Sequence, residues 1–98
     1  MNYTIRWTER AKQDVQNIID FILVHWESAI VSNFLDLIDV KIGFILKNPY
    51  QNMISKHYTN SRKIIIHTHI TLFYTIDEDL NEVILLSFFD TRQNPNKI

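Results

Sequence analysis

The chain has no cysteine, one glycine and two prolines among its 98 residues. Without cysteine there is no disulfide framework and no thiolate-bound metal, and a reducing compartment is the expected setting. So little glycine and proline, beside 46% hydrophobic residues, excludes a linker-like or disordered chain. Packed elements joined by short connections are expected instead. No run approaches the ~20 apolar residues of a membrane span, so no membrane partner is expected. The opening MNYTIRWTER is charged within its first ten residues and lacks an apolar h-region, so it does not read as a signal peptide. A strong charge of one sign is missing too, with 10 Lys and Arg against 11 Asp and Glu. These absences lead to the expectation of a soluble, cytoplasmic protein folding as one domain over residues 1–98.

What charge there is falls unevenly. Residues 51–76 carry Lys56, Arg62 and Lys63 with His57, His67 and His69 and no acid, whereas 77–90 hold Asp77, Glu78, Asp79, Glu82 and Asp90 and no base. A mildly basic middle can mark an anionic partner or a solvated face.

Hydrophobic spacing gives the elements. Tyr3–Trp7 alternates and is rich in β-formers, so it reads as a first strand. Thr8 is placed to cap a helix, with Glu9 in its first turn. Ala11, Val15, Ile18, Ile19, Ile22, Leu23 and Trp26 then recur at three- and four-residue steps, an amphipathic helix ending near His25–Trp26. Ser28 is the expected cap of a second helix running to Lys47, stopped by Asn48–Pro49, with a core stripe of Val31, Phe34, Ile38, Ile42 and Ile45. The short break between the helices requires an αα-hairpin.

Past Pro49 the period becomes two. Arg62–His67, Ile70–Ile76 and Glu82–Phe89 read as strands in antiparallel hairpins, with room for a shorter strand near Ile54–His57. The fold class is therefore α+β, ordered β-α-α-β-β-β, with a helical hairpin on a mainly antiparallel sheet. Ile64, Ile66, Leu72, Tyr74, Leu86 and Phe88 are the expected helix-facing residues.

Candidate chemistry is sparse. His67 and His69 share a spacing suited to one face, but two His with no recognisable third ligand do not define a metal site, and no metal or cofactor is expected. Arg62, Lys63 and Arg92 can supply phosphate contacts or merely decorate strand surfaces. Asp90, Thr91 and Arg92 end the last strand on an acid, a hydroxyl and a guanidinium; they either form a binding edge or satisfy local donors and pin the tail. Leu37, Val40 and Phe44 form a second apolar stripe on the second helix, which asks for a second packing partner.

The segments YTIRWTERAKQDVQNIIDFI, the hairpin ending in KNP, RKIIIH, ITLFYTID and above all FFDTRQNP make the whole chain resemble toxins of the RelE/ParE superfamily, from type II toxin–antitoxin modules. The resemblance implies that the last strand's end borders a functional face, giving Asp90, Thr91 and Arg92 a target-binding role. It also implies a cognate antitoxin whose C-terminal region folds on the toxin, with Leu37, Val40 and Phe44 as the docking stripe of a hetero-oligomer. RelE-like members are ribosome-dependent mRNA endoribonucleases, which would put Arg62, Lys63 and Arg92 in catalytic roles. ParE-like members lack that residue set and are associated with DNA gyrase. Here Thr71 aligns where the nucleases carry an Arg, and neither Tyr nor His follows Arg92. The ParE-like branch is the expected one, with no catalytic set; a non-toxic relative that only binds antitoxin is a third class.

Overall fold

A computed structural model describes residues 2–92. In chain order the elements are β1 (Thr4–Trp7), α1 (Glu9–His25), α2 (Ser28–Lys47), β2 (Ile54–Ser55), β3 (Ser61–His67), β4 (Ile70–Asp77) and β5 (Glu82–Asp90). The strands form one sheet in the order β1-β5-β4-β3-β2. Every neighbouring pair is antiparallel except β1 with β5, which is parallel. The predicted α+β order holds, with β2 present as a two-residue edge strand.

Thr8 does three things at the β1–α1 junction. Its Oγ1 accepts the Ala11 N–H at 3.0 Å, capping α1. The same hydroxyl donates to the Leu85 carbonyl at 2.7 Å, and the Thr8 N–H reaches that carbonyl at 3.3 Å. The start of the helix is thereby tied to the middle of the central strand β5. At the second helix the expected cap is corrected: Ser28 is already helical, and Glu27 occupies the cap without a side-chain bond. The break is two residues long, Trp26 and Glu27, so the chain turns before Ser28 can hold an extended cap conformation.

The core lies between the helical hairpin and one sheet face. Ala11, Ile18 and Ile22 of α1 and Phe34, Ile38 and Ile45 of α2 meet Ile66, Ile70, Leu72, Tyr74, Val83, Leu85 and Phe88. Val31, Ile42 and Ile64 pack against it partly buried. Trp7 stacks on Phe88 with ring centroids 5.6 Å apart.

One expected core residue is wrong. Leu72 registers with Phe88 and Phe73 with Ser87, but Tyr74 registers with Leu85, so Leu86 is an extra residue in β5. This β-bulge reverses the alternation. Leu85 takes the buried place and Leu86 turns partly outward. Asp14 of α1 supports the bulge, its Oδ2 accepting the Phe88 N–H at 3.0 Å.

Candidate functional site

The end of β5 is a clasp. Asp90 registers with Ile70 and is 4% exposed. Its carboxylate accepts the Arg92 backbone N–H at 2.9 Å and the Arg92 guanidinium at two points, Nε at 3.1 Å and Nη2 at 3.0 Å. This two-point geometry fixes a guanidinium in a way an ammonium cannot match. The guanidinium also stands 5.5 Å from the Phe21 ring and 5.2 Å from the Trp26 ring, both at the C-terminal end of α1. Thr91 donates its backbone N–H to the His69 carbonyl at 2.9 Å. The three residues named for a target-binding edge thus lie together and hold β5 to α1 and to the β3–β4 turn. Gln93, Asn94 and Pro95, the rest of the terminal motif, lie outside the described residues.

Arg62 and Lys63 lie elsewhere. Arg62 Nη1 donates to the carbonyls of Tyr50 (2.8 Å) and Asn52 (2.7 Å), and the guanidinium covers the Tyr50 ring at 5.2 Å. Along β4, Arg62 registers at Tyr74 and Asp90, the carboxylate that holds Arg92, at Ile70, so Arg62 and Asp90 are four residues apart along the strands, or ~13 Å at strand rise. Lys63 faces the opposite side of β3 by alternation. Arg62, Lys63 and Arg92 are therefore not gathered into one constellation.

The loop that Arg62 braces contributes Tyr50 to a phenol–carboxylate cluster with Tyr3 and Glu78. Tyr3 donates to Glu78 Oε1 at 2.8 Å and Tyr50 donates to Oε2. These two bonds hold the Glu78 carboxyl below its ordinary range. The bond to Glu78 pushes the Tyr50 phenol up to about 12, and the same carboxylate raises Tyr3. Tyr74, raised by burial, donates to the Pro49 carbonyl at 2.7 Å.

Across the sheet face away from the helices, register aligns Lys63 with Phe73 and Ser87 in one row and Ile65 with Thr71 and Phe89 in the next. His57 stacks on Phe73 at 5.0 Å and Tyr58 meets it edge-on at 5.6 Å. The Tyr58 hydroxyl is 2.9 Å from Ser87 Oγ. A cavity of about 150 Å³ beside them is bordered by Arg10, whose Nε donates to Asp14 at 2.9 Å. Sequence reasoning passed over His57, Tyr58, Ser87 and Asp14 as functional or supporting groups. Only the strand alternation around Phe73 and Ser87 carried any signal of them. His67 and His69 lie with ring centroids 6.3 Å apart, and among the described residues no group of three His, Asp or Glu is placed to hold a metal ion.

The second stripe of α2 is divided by the structure. Val40 and Phe44 are 51% and 53% exposed. Leu37 packs partly on the core and lines a groove of about 230 Å³ with Ile22, Phe34, Ile70 and Arg92. Among the described residues no helix is long and apolar enough to cross a membrane.

Residues 5–95 match the family model described as ParE toxin of type II toxin–antitoxin system, parDE. None of the curated proteins compared matches the chain. Among solved structures, a chromosomal ParDE system from P. aeruginosa superposes with a TM-score of 0.76 at 13% identity, covering 90% of this chain and 95% of that one. The RelBE2 toxin–antitoxin complex of Mycobacterium tuberculosis gives 0.63 at 16% identity, covering 92% and 99%. The intact E. coli RelBE complex gives 0.62 at 16%, covering 90% and 95%. Identities this low speak to the fold alone.

Proposed function

The chain belongs to the ParE toxin family, and from that premise we propose that it arrests growth by binding a protein target, DNA gyrase, rather than by cleaving RNA. The observation that carries this reading is the sheet face away from the helices. Its two central rows hold one cation, Lys63, among Phe73, Ser87, Ile65, Thr71 and Phe89. Ribonucleolytic chemistry needs cations and a positioned acid–base group gathered around one phosphate. Thr71 supplies neither, and His57 and Tyr58 lie over Phe73 in the centre of the face. Arg92 and Arg62 are spent on Asp90 and on loop carbonyls.

The antitoxin is the second partner of this reading. Matches to RelBE complexes accord with it, and the exposed Val40 and Phe44 offer an apolar helix face of the kind that a folding segment can bury. Target contact falls to the β5 terminus, where Thr91 and the outer side of Arg92 are partly exposed while Asp90 is sealed beneath.

The test is induction in the absence of antitoxin, followed by a gyrase supercoiling assay and by primer extension on mRNA. Growth arrest with inhibited supercoiling and intact message is the expected result. Ribosome-dependent cleavage would overturn the reading in favour of a ribonuclease that uses Arg62, Lys63 and Arg92. An unaffected culture would reduce the chain to an antitoxin-binding relative.

A further inference from the structure

Strand β1 pairs with β5 only from Glu82 to Leu85, and the bulge at Leu86 follows at once. Beyond it β5 meets α1 instead of a strand, with Asp14 Oδ2 accepting the Phe88 N–H at 3.0 Å. Where a helix side chain stands in for a strand, a gap remains. It is the cavity of about 150 Å³ between Arg10 and Asp14 on one side and His57, Tyr58, Phe73 and Ser87 on the other. A cavity of about this size admits a benzene molecule, so it can enclose the end of a small ligand but not a nucleotide.

The acids of this cavity are committed and its donors are not. Asp14 accepts the Phe88 N–H and also Arg10 Nε, the latter at 2.9 and 3.1 Å. Asp90 accepts three N–H groups of Arg92. Arg10 spends only Nε on Asp14, and neither of its Nη groups donates to a described residue. The Tyr58 and Ser87 hydroxyls lie 2.9 Å apart and carry two hydrogens, of which only one can lie between them. The other has no acceptor among the described residues, although Ser87 is only 3% exposed. His57 adds a ring N–H in either tautomer, and its ring nitrogens bond to none of the described residues. Surplus donors around one small space select a ligand that only accepts, an oxyanion.

Charge decides which oxyanion. Asp14 and Asp90 are each matched by one guanidinium, and Arg10 is the one Lys or Arg side chain that lines the cavity among the described residues. A dianion would set a second negative charge against both acids. A carboxylate adds one charge and fits the fork of two Nη groups at two points. We propose that this cavity binds a carboxylate, held by the Nη groups of Arg10 at its mouth and by the spare hydroxyl hydrogen of the Tyr58–Ser87 pair at its floor. The placement follows exposure, since the Arg10 side chain is 68% exposed and Ser87 is buried. The carboxylate belongs to a small molecule or to an acidic side chain of a partner protein, which present the same chemistry. The inference goes beyond the gyrase reading and stands whether or not gyrase is the target.

Acetate, a blocked peptide with a single glutamate, acetamide and sulfate test it on the isotope-labelled full chain at constant ionic strength. Acetate or the glutamate peptide should shift the amide resonances of His57, Ser87 and Phe88 saturably in the millimolar range. Acetamide, which lacks the charge, and sulfate, which carries two, should bind at least ~tenfold more weakly, about 1.4 kcal/mol. Tighter acetate assigns the site to a small carboxylate, a tighter glutamate peptide assigns it to a partner's side chain, and equal binding to the carboxylate alone; each supports the proposal. Arg10→Lys keeps the charge but loses the two-point fork, and should weaken the better carboxylate ~tenfold. Should that variant disturb the fold, read in its unliganded spectrum, Tyr58→Phe combined with Ser87→Ala leaves the Arg10–Asp14 pair in place and should give the same loss. Acetamide or sulfate binding within that tenfold would overturn the proposal. So would the lack of a saturable shift, shifts confined to other surfaces, or variants that bind as the natural chain does.

Discussion

At Arg92 the guanidinium holds a carboxylate that is otherwise sealed from water, since the Asp90 side chain is 1% exposed and that of Arg92 22%. Removing one partner of such a pair leaves an uncompensated buried charge, which costs about 3 kcal/mol. Arg92→Gln should therefore lower the urea midpoint by a corresponding amount, and adding Asp90→Asn should restore part of it. Arg92→Lys should be milder in stability, since the charge stays and only the two-point geometry is lost. The sequence offered the Asp90–Arg92 pair as one of two readings; it could not show the rings of Phe21 and Trp26, which are near only because α1 ends beside the β5 terminus. The phenol–carboxylate cluster gives a second prediction with a sign. Glu78 is held below its ordinary value of 4.5, so its stabilisation is full above that value and is lost as pH falls through the lowered one. Tyr50 is raised from 10.0 to about 12, so its contribution is full below 10 and is lost as pH climbs toward 12. Thermal melts across pH should show a smaller loss of stability on the acid limb for Glu78→Gln than for the natural chain.

At the scale of elements the informative feature is β5. From Val83 to Phe89 it is apolar at every position but Ser87, and nothing in the residue types marks Leu86 as the inserted one. The bulge follows from tertiary demands: Thr8 claims the Leu85 carbonyl from one side, and Asp14 supplies an acceptor for the displaced Phe88 N–H from the other. Helix boundaries were readable because caps and Asn48–Pro49 are local signals, whereas a bulge needs the partner strand and the helix above it to be in view. The consequence is measurable. Leu85→Ala opens a cavity in a fully buried site and should cost about 3 kcal/mol. Leu86→Ala, partly exposed, should cost under ~1 kcal/mol. Equal losses in chemical denaturation would show that the two leucines are not distinguished by the bulge.

Over the whole molecule, the two apolar stripes of α2 have different fates, and this sharpens the test of the partner surface. The sequence displayed Leu37, Val40 and Phe44 as one row, because spacing along a helix registers angle and not what stands opposite each turn. In three dimensions Leu37 leans on the core near Phe34 and Ile70, so an acid there desolvates a carboxylate as well as removing a contact. Phe44, a little under two turns on, is 53% exposed and belongs to no part of the buried core, so it has less to lose in the free chain. Leu37→Asp should therefore lower the melting temperature before any partner is considered, and its effect on binding cannot be separated from its effect on the fold. Phe44→Asp should leave melting unchanged within about 0.5 kcal/mol and weaken the antitoxin ~100-fold, as the loss of a buried aromatic anchor does. Calorimetric titration of the two variants with the antitoxin, beside their melts, reads both quantities. A Phe44→Asp chain that binds antitoxin as tightly as the natural one would move the docking surface off α2.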